Sequence, residues 1–260
     1  MHILITAGGT AEKIDNVRTI INQATGRLGK EIAAAFSSAP DCRITYIHGP
    51  QADLPEKHSN ISFFPVGSVQ ELLHEMTRQL ASQPFDAVIH SMAVSDYQMD
   101  FAIDGDAFAN KLAEELVRRP QDISETELAE DIRQLLRTHA FVPEKQAKKL
   151  SSDSRQLILF LGRAPKVISI IKTVQPETIL VGFKLLVDVS EDVLTDAALK
   201  SIKTNNADFI LANDLTKITG ETHQAFLIDS GANKRYFSTK QEIAAGIRQA
   251  VISKLEERSE

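Results

Sequence analysis

The sequence predicts an α/β fold: a Rossmann-like three-layer αβα arrangement around a mostly parallel sheet, with a C-terminal β-hairpin and a helical insertion. Three observations carry this reading. Short apolar runs alternate with stretches of helical periodicity from residue 3 to residue 212, the pattern of strands whose crossover helices cover both faces of one sheet. Two further apolar runs, 225–228 and 234–237, flank Asp229-Ser230-Gly231-Ala232-Asn233, a turn sequence that joins antiparallel neighbours. Residues 104–139 interrupt the alternation with a charged, helix-prone stretch.

Taken in order, residues 3–6 (Ile-Leu-Ile-Thr) form the first strand. Residues 26–37 read as a helix because Leu28, Ile32, Ala33 and Phe36 recur at the spacing that lines one helical face. A strand over 44–48 is closed by Gly49-Pro50, and 61–66 form a third strand. Ser68 with Glu71 three residues on is a capping-box start for the next helix. Residues 87–91 are a buried strand, 156–161 an amphipathic one, 167–174 a helix, 179–183 a strand, 191–204 a helix and 209–212 a strand. Residues 240–257 close the chain as an amphipathic helix. Within 104–139, Leu112, Leu116, Leu128, Ile132, Leu135 and Leu136 fall at helical spacings. Two helices split near Pro120 are expected there, as a solvated lid or dimer-facing decoration of a single domain spanning 1–260.

Composition excludes several function classes. With 43% hydrophobic and 25% charged residues the chain is an ordinary globular protein. A net charge of −6 offers no basic footprint for nucleic acid, although local Lys, Arg and backbone N–H groups can still hold a small anion. The single cysteine, Cys42, rules out an intrachain disulfide and a cysteine-rich zinc site. Neither a signal-like N-terminus nor an apolar run of about 20 residues is found, so a cytoplasmic location without membrane contact is expected. The seven histidines show no metal-ligand spacing. The glycine fingerprint of dinucleotide dehydrogenases, the nucleotide phosphate loop and the serine-hydrolase elbow are all missing.

Five segments fall where strands of such a sheet end, which is where ligands bind. The first is the connection from Ala7 to Gly26, twenty residues long, where compact connections take about 2–6. It holds Gly8-Gly9-Thr10, Arg18, Asn22 and the helix start Thr25-Gly26. Glycines allow close backbone approach to an anion, and a helix N-terminus favours negative charge. The second is Ser91-Met92-Ala93-Val94-Ser95-Asp96-Tyr97, whose small residues suit a flat ring and whose Asp96 suits a ribose or base, or merely caps a turn. The third is Pro143-Glu144-Lys145, with a lysine suited to phosphate. The fourth is Gly162-Arg163-Ala164-Pro165-Lys166-Val167-Ile168, a loop entering a helix, and the fifth is Val181-Gly182-Phe183-Lys184, with an aromatic able to stack or to serve the core.

In this order the segments resemble phosphopantothenate–cysteine ligase, a monofunctional bacterial form of the coenzyme A pathway enzyme also called phosphopantothenoylcysteine synthetase. The likeness rests on Ile5-Thr6-Ala7-Gly8-Gly9-Thr10, Val17-Arg18 through Asn22, Thr25-Gly26-Arg27-Leu28-Gly29, Ala93-Val94-Ser95-Asp96-Tyr97, Pro143-Glu144-Lys145 and Ala212-Asn213-Asp214, and it spans the chain apart from 104–139. It implies ligation of 4′-phosphopantothenate to L-cysteine through an acyl-nucleotide. Lys145 would serve nucleotidyl transfer and Asn22 the second half-reaction. Gly8, Gly9, Thr10, Ala93, Asp96, Pro165, Lys166, Val167, Ile168, Phe183, Lys200 and Lys203 would hold the nucleotide, and Arg18, Asn22, Thr25 and Gly26 the substrate. CTP is the expected co-substrate. ATP enters because Lys184 stands where many bacterial members carry Ala, as in the eukaryotic branch. Mg2+ is implied on the triphosphate. Flavin is not expected, because the flavin-dependent decarboxylase fused to many bacterial members has no counterpart here. A homodimer is implied, with a separate decarboxylase as a further partner. The alternatives of other classes are an NAD(P)-dependent reductase, disfavoured by the missing glycine fingerprint, and a non-catalytic nucleotide-binding module.

Overall fold

The fold is seen in a computed structural model that describes residues 1–39, 41–119, 123–137, 141–142, 155–220 and 222–259. The chain runs β1 (His2–Ala7), β2 (Ala11–Lys13), β3 (Thr19–Ile21), α1 (Arg27–Ser37), β4 (Arg43–His48), β5 (Ile61–Pro65) and α2 (Val69–Ser82). It continues through β6 (Ala87–His90), β7 (Tyr97–Asp104), α3 (Gly105–Val117), α4 (Glu125–Arg137), β8 (Leu157–Arg163) and α5 (Ile168–Val174). It closes with β9 (Ile179–Leu186), α6 (Glu191–Asn205), β10 (Phe209–Thr219), β11 (Thr222–Asp229), β12 (Lys234–Thr239) and α7 (Lys240–Ser259). These elements make two compact units: Met1–Ala11 with Ile21–Asp96 and Pro165–Glu260, and Glu12–Ile20 with Tyr97–Ala164.

In the first unit every residue of β1 is buried, as a strand covered on both faces requires. It pairs in parallel with β4 on one side and β6 on the other. The sheet order is β12-β11-β10-β9-β6-β1-β4-β5. Its first six strands in sequence are parallel, and β11 and β12 add the expected antiparallel hairpin. From β1 the chain winds outward through β4 to β5, then returns to β6 and winds the other way. That reversal opens a crevice at the carboxyl ends of β1 and β6. Ile3, Ile5, Ile89 and Val181 pack on one face against Ile32 and Phe36 of α1 and Ile243 and Ile247 of α7. Leu4, Val88 and Leu180 are equally buried on the other.

Local signals work as the sequence predicts. Ser68 Oγ accepts from Glu71 N at 3.2 Å, while the Glu71 carboxylate accepts from Gly67 N at 2.6 Å, a capping box shifted by one donor. Ser190 caps α6, and Asn206 ends it in the left-handed region at φ 53°, a conformation Asn tolerates.

Three features differ from the sequence reading. The long first connection contains a ribbon, β2 paired with β3. Residues 156–161 do not join the central sheet: β8 pairs antiparallel with β7, a strand the sequence reading leaves out. The compact unit holding the two helices of 104–139 is also larger than that stretch. It has its own apolar cluster of Phe101, Ile103, Leu135 and Phe141, with Phe160 stacked on Phe101 at 4.4 Å between ring centroids. Asp104 caps α3, accepting from Asp106 N and Ala107 N at 3.0 and 3.1 Å. Among the described residues no helix is long and apolar enough to cross a membrane.

His223 on β11 is buried, and neither ring nitrogen has a hydrogen-bond partner among the described residues. Burial, with Lys240 nearby, lowers its pKa from 6.5 to about 4. The unfolded chain therefore binds a proton first as pH falls, so stability drops between pH 6.5 and 4 and is unaffected above. We predict that His223→Leu raises stability at pH 7 by about 1 kcal/mol, by removing a buried unsatisfied group. It should also flatten the loss toward pH 4. Urea titrations at pH 7, 5.5 and 4.5 check both.

Candidate functional site

At the crevice the loops leaving β1 and β6 are stitched together. Ala93 N donates to Gly8 O at 2.8 Å and Thr10 N to Ala93 O at 3.1 Å, so Gly9 and Ala93 form a parallel bridge beyond the sheet. Thr10 Oγ1, almost fully buried, accepts from Ser95 N at 2.9 Å. Asn22 docks on the same spot. Its N–H donates to Thr10 O at 3.2 Å and its side-chain amide donates to Ala93 O at 3.1 Å.

Glycine is obligatory at two positions here. Gly8 has φ +84°, and a Cβ on it would lie 2.7 Å from Ala52 Cβ. A Cβ on Gly9 would collide with the carbonyl oxygen of Asn22. Gly26, at the N-terminus of α1, packs within reach of the Gly8 amide, and Thr25 Oγ1 accepts from Arg27 N at 3.5 Å. Gly8, Gly9, Thr10, Asn22, Thr25, Gly26 and Ala93 thus meet in one neighbourhood.

A cleft of about 800 Å³ opens beside it, over the ends of β6 and β9 and against α6. Ala93, Asp96, Pro165, Lys166, Val167, Ile168, Phe183 and Lys200 line it, as do Lys184 and His90. Lys166 Nζ donates to Asp96 Oδ1, joining the loops that precede β7 and α5; both side chains are 70% exposed, so the pair contributes little to stability. Phe183 packs partly on the core. Lys200 is exposed and Lys184 half-buried, and neither enters an ion pair among the described residues. Lys203 does not line this cleft; it faces a separate one with Asn206 and Lys254. Arg18, in the other unit, grips Asp15 through Nε at 3.1 Å and Nη2 at 2.7 Å. Lys145 lies outside the described residues.

The sequence reading does not single out His90 as a site residue. Burial of the ring lowers its pKa from 6.5 to about 4. Nδ1 lies 2.9 Å from Thr6 Oγ1, and that oxygen accepts from Met92 N at 3.2 Å. A polar residue ending an otherwise apolar parallel strand is the signal that points to it. The Asp214 carboxylate accepts from the N–H groups of Asp188, Val189 and Thr216 at 2.9–3.0 Å, which holds its pKa far below the usual range. It therefore shapes the loop between β9 and α6. Among the described residues no three His, Cys, Asp or Glu side chains are grouped to hold a metal.

Residues 1–126 and 139–255 match the family described as DNA/pantothenate metabolism flavoprotein C-terminal domain. The chain belongs to this family. It is 35% identical to the DNA/pantothenate metabolism flavoprotein from Streptococcus pneumoniae, with a TM-score of 0.79, covering 97% of this chain and 99% of that one. It is also 29% identical to the coenzyme A biosynthesis bifunctional protein CoaBC of Thermococcus kodakarensis, over 94% of this chain and 49% of the relative. The chain thus spans about half the length of the curated relatives it first matches. The solved C-terminal domain of a CoaBC protein shares the fold at 20% identity and a TM-score of 0.66. So does a Cab2 variant in complex with phosphopantothenate-cysteine, at 16% identity and 0.66. The family match covers α3 and leaves out 127–138, a stretch that takes in α4 beyond its first two residues.

Because Gly9 abuts the Asn22 carbonyl, Gly9→Ala is expected to push Asn22 off Ala93 and to cost about 1–3 kcal/mol of stability. Denaturant unfolding reads the cost, and faster amide exchange at Thr10 and Asn22 locates it.

Proposed function

We propose that the chain ligates 4′-phosphopantothenate to L-cysteine in coenzyme A biosynthesis, through an acyl-nucleotide, with CTP favoured over ATP as co-substrate. The observation that carries this is the stitched crevice, where the Asn22 amide is fixed beside a cleft rimmed by Lys166, Lys184 and Lys200. Membership of the pantothenate-metabolism family supports it.

The reaction has two steps. A carboxylate oxygen of the pantothenate moiety attacks the α-phosphorus, and pyrophosphate leaves. The cysteine nitrogen then attacks the acyl carbon, a tetrahedral oxyanion forms, and nucleoside monophosphate departs as the amine loses its proton. Negative charge builds on α-phosphoryl oxygens first and on the acyl oxygen second, so fixed donors at those two places lower the two barriers. We assign Lys145 to the first and Asn22 to the second. A neutral amide can donate to the oxyanion without competing as a nucleophile. Arg18, Thr25 and Gly26 are assigned to the phosphopantothenate, and Lys200 with Lys203 to the nucleotide phosphates, although Lys203 lines a different cleft. Magnesium would ride on the triphosphate, held through phosphate and water rather than a protein cage. A homodimer, a single-domain organisation and a cooperating decarboxylase belong to the same reading, as does a cytoplasmic location.

Pyrophosphate release that requires both 4′-phosphopantothenate and a nucleoside triphosphate tests the proposal, with CTP and ATP in parallel arms. Absence of release with either nucleotide would overturn it. Lys145→Gln is expected to lower release at least a hundredfold, as loss of one preorganised charge donor does. Asn22→Asp is expected to keep releasing pyrophosphate while acyl-nucleotide accumulates and amide product falls, read by mass spectrometry of the quenched reaction.

A further inference from the structure

The floor of the cleft carries a hydrogen-bonding group that the ligation chemistry leaves unused. His90 is 6% exposed, yet it lines the cleft at the end of β6. Its tautomer follows from satisfying Thr6. The Thr6 hydroxyl is fully buried and has two partners, Met92 N at 3.2 Å and His90 Nδ1 at 2.9 Å. Met92 N–H can only donate. Were Nδ1 also a donor, the hydroxyl hydrogen would have no acceptor, a penalty of about 1–3 kcal/mol for a buried group. The satisfied arrangement has Met92 N–H donating to Thr6 Oγ1 and the Thr6 hydroxyl donating to Nδ1. The hydrogen of the neutral ring is then on Nε2, which has no partner among the described residues.

We propose that this Nε2–H is a fixed, uncharged donor that holds a ring acceptor of the nucleotide base. The inference rests on the reading of the cleft as the nucleotide site. Charge distribution decides between base and phosphate. The charged lining residues lie toward solvent, with Lys200, Lys166 and Asp96 exposed and Lys184 half-buried, while the buried lining residues are Met92, Val167 and His90, of which His90 alone is polar. Burying a phosphate against a neutral floor is strongly disfavoured, whereas a planar, uncharged ring with carbonyl or imine acceptors suits it.

Calorimetric binding of CTP, ATP and inorganic tripolyphosphate to the full chain tests this, alongside ¹⁵N spectra of labelled histidine. The free protein is expected to show His90 as the Nε2–H tautomer, with that resonance shifting when nucleotide is added but not with tripolyphosphate. His90→Phe, which keeps a ring and loses the donor, is expected to weaken whichever nucleotide binds by about tenfold, the value of one hydrogen bond, and to leave tripolyphosphate affinity unchanged. An Nδ1–H tautomer, unchanged nucleotide affinity or an equal loss for tripolyphosphate would overturn the assignment. If His90→Phe fails to fold, the tautomer and its ligand response in the unaltered protein carry the decision. An unaltered chain that binds neither nucleotide would bring down the parent reading as well, an outcome distinct from nucleotide binding that ignores His90.

Discussion

Two loops that extend a parallel ladder past the end of its sheet hold the site together. Gly8, Thr10 and Ala93 continue the pairing of β1 with β6 through backbone hydrogen bonds. The connection beyond them is long, and ordering each of its residues costs about 1–2 kcal/mol of backbone entropy. Each added hydrogen bond returns only about 1 kcal/mol net. A few bonds alone would leave the segment floppy. Order comes from their coincidence with close packing: Gly9 against the Asn22 carbonyl, Gly8 against Ala52, Gly26 against Gly8. Side chains at those positions would open gaps between backbones that the bonds are too weak to close. The Asn22 amide is therefore fixed by the absence of atoms around it as much as by its own contact with Ala93.

The same crevice separates charge from its neutral floor. A buried imidazole beside Thr6 resists protonation because burial penalises its charged form. Lysines on the walls keep their ammonium groups near water, where the charge is cheap and remains available to an anion. Exposed charges around a buried, neutral imidazole suit a ligand that has both a charged and an uncharged part. The Lys166–Asp96 pair across the mouth is solvent-exposed, so a ligand that takes either partner forfeits little.

The legibility of the sequence follows the range of the interactions involved. Runs such as Ile3-Leu4-Ile5 and Ala87-Val88-Ile89 declare buried parallel strands because burial on both faces leaves no polar positions. Ser68 and Glu71 act within one helical turn, and Gly8 and Gly26 announce themselves because few other residues fit positive φ. β7 escaped because its alternation, Tyr97, Met99, Phe101, Ile103, begins inside a segment read for its chemistry and is broken by an irregularity between Met99 and Phe101. The partner of β8 was invisible because antiparallel pairing across some sixty residues leaves no local trace. His90 is the sharpest case. Its residue type is plain, but its role depends on a hydroxyl 84 positions away, and only coordinates bring the two together. Lys200 and Lys203 show the converse limit: both are lysines on one helix, and three residues of rotation send them to different clefts.

Where the family match lapses, packing explains why it can. α3 buries no residue fully and α4 only Leu135, while the cluster they cover is built mainly on Phe101, Ile103 and Phe160 of the β7–β8 pair with Phe141. Stability in that unit therefore resides in the two strands and the aromatic stack, and the outer helix adds one anchoring side chain. Sequence can drift over the exposed positions of α4 at small energetic cost, whereas a change at Phe101 would remove a buried ring, at about 3–5 kcal/mol. The same logic runs in reverse at the crevice, where small residues are the constraint: a methyl group added at Gly8 or Gly9 would run into Ala52 or the Asn22 carbonyl.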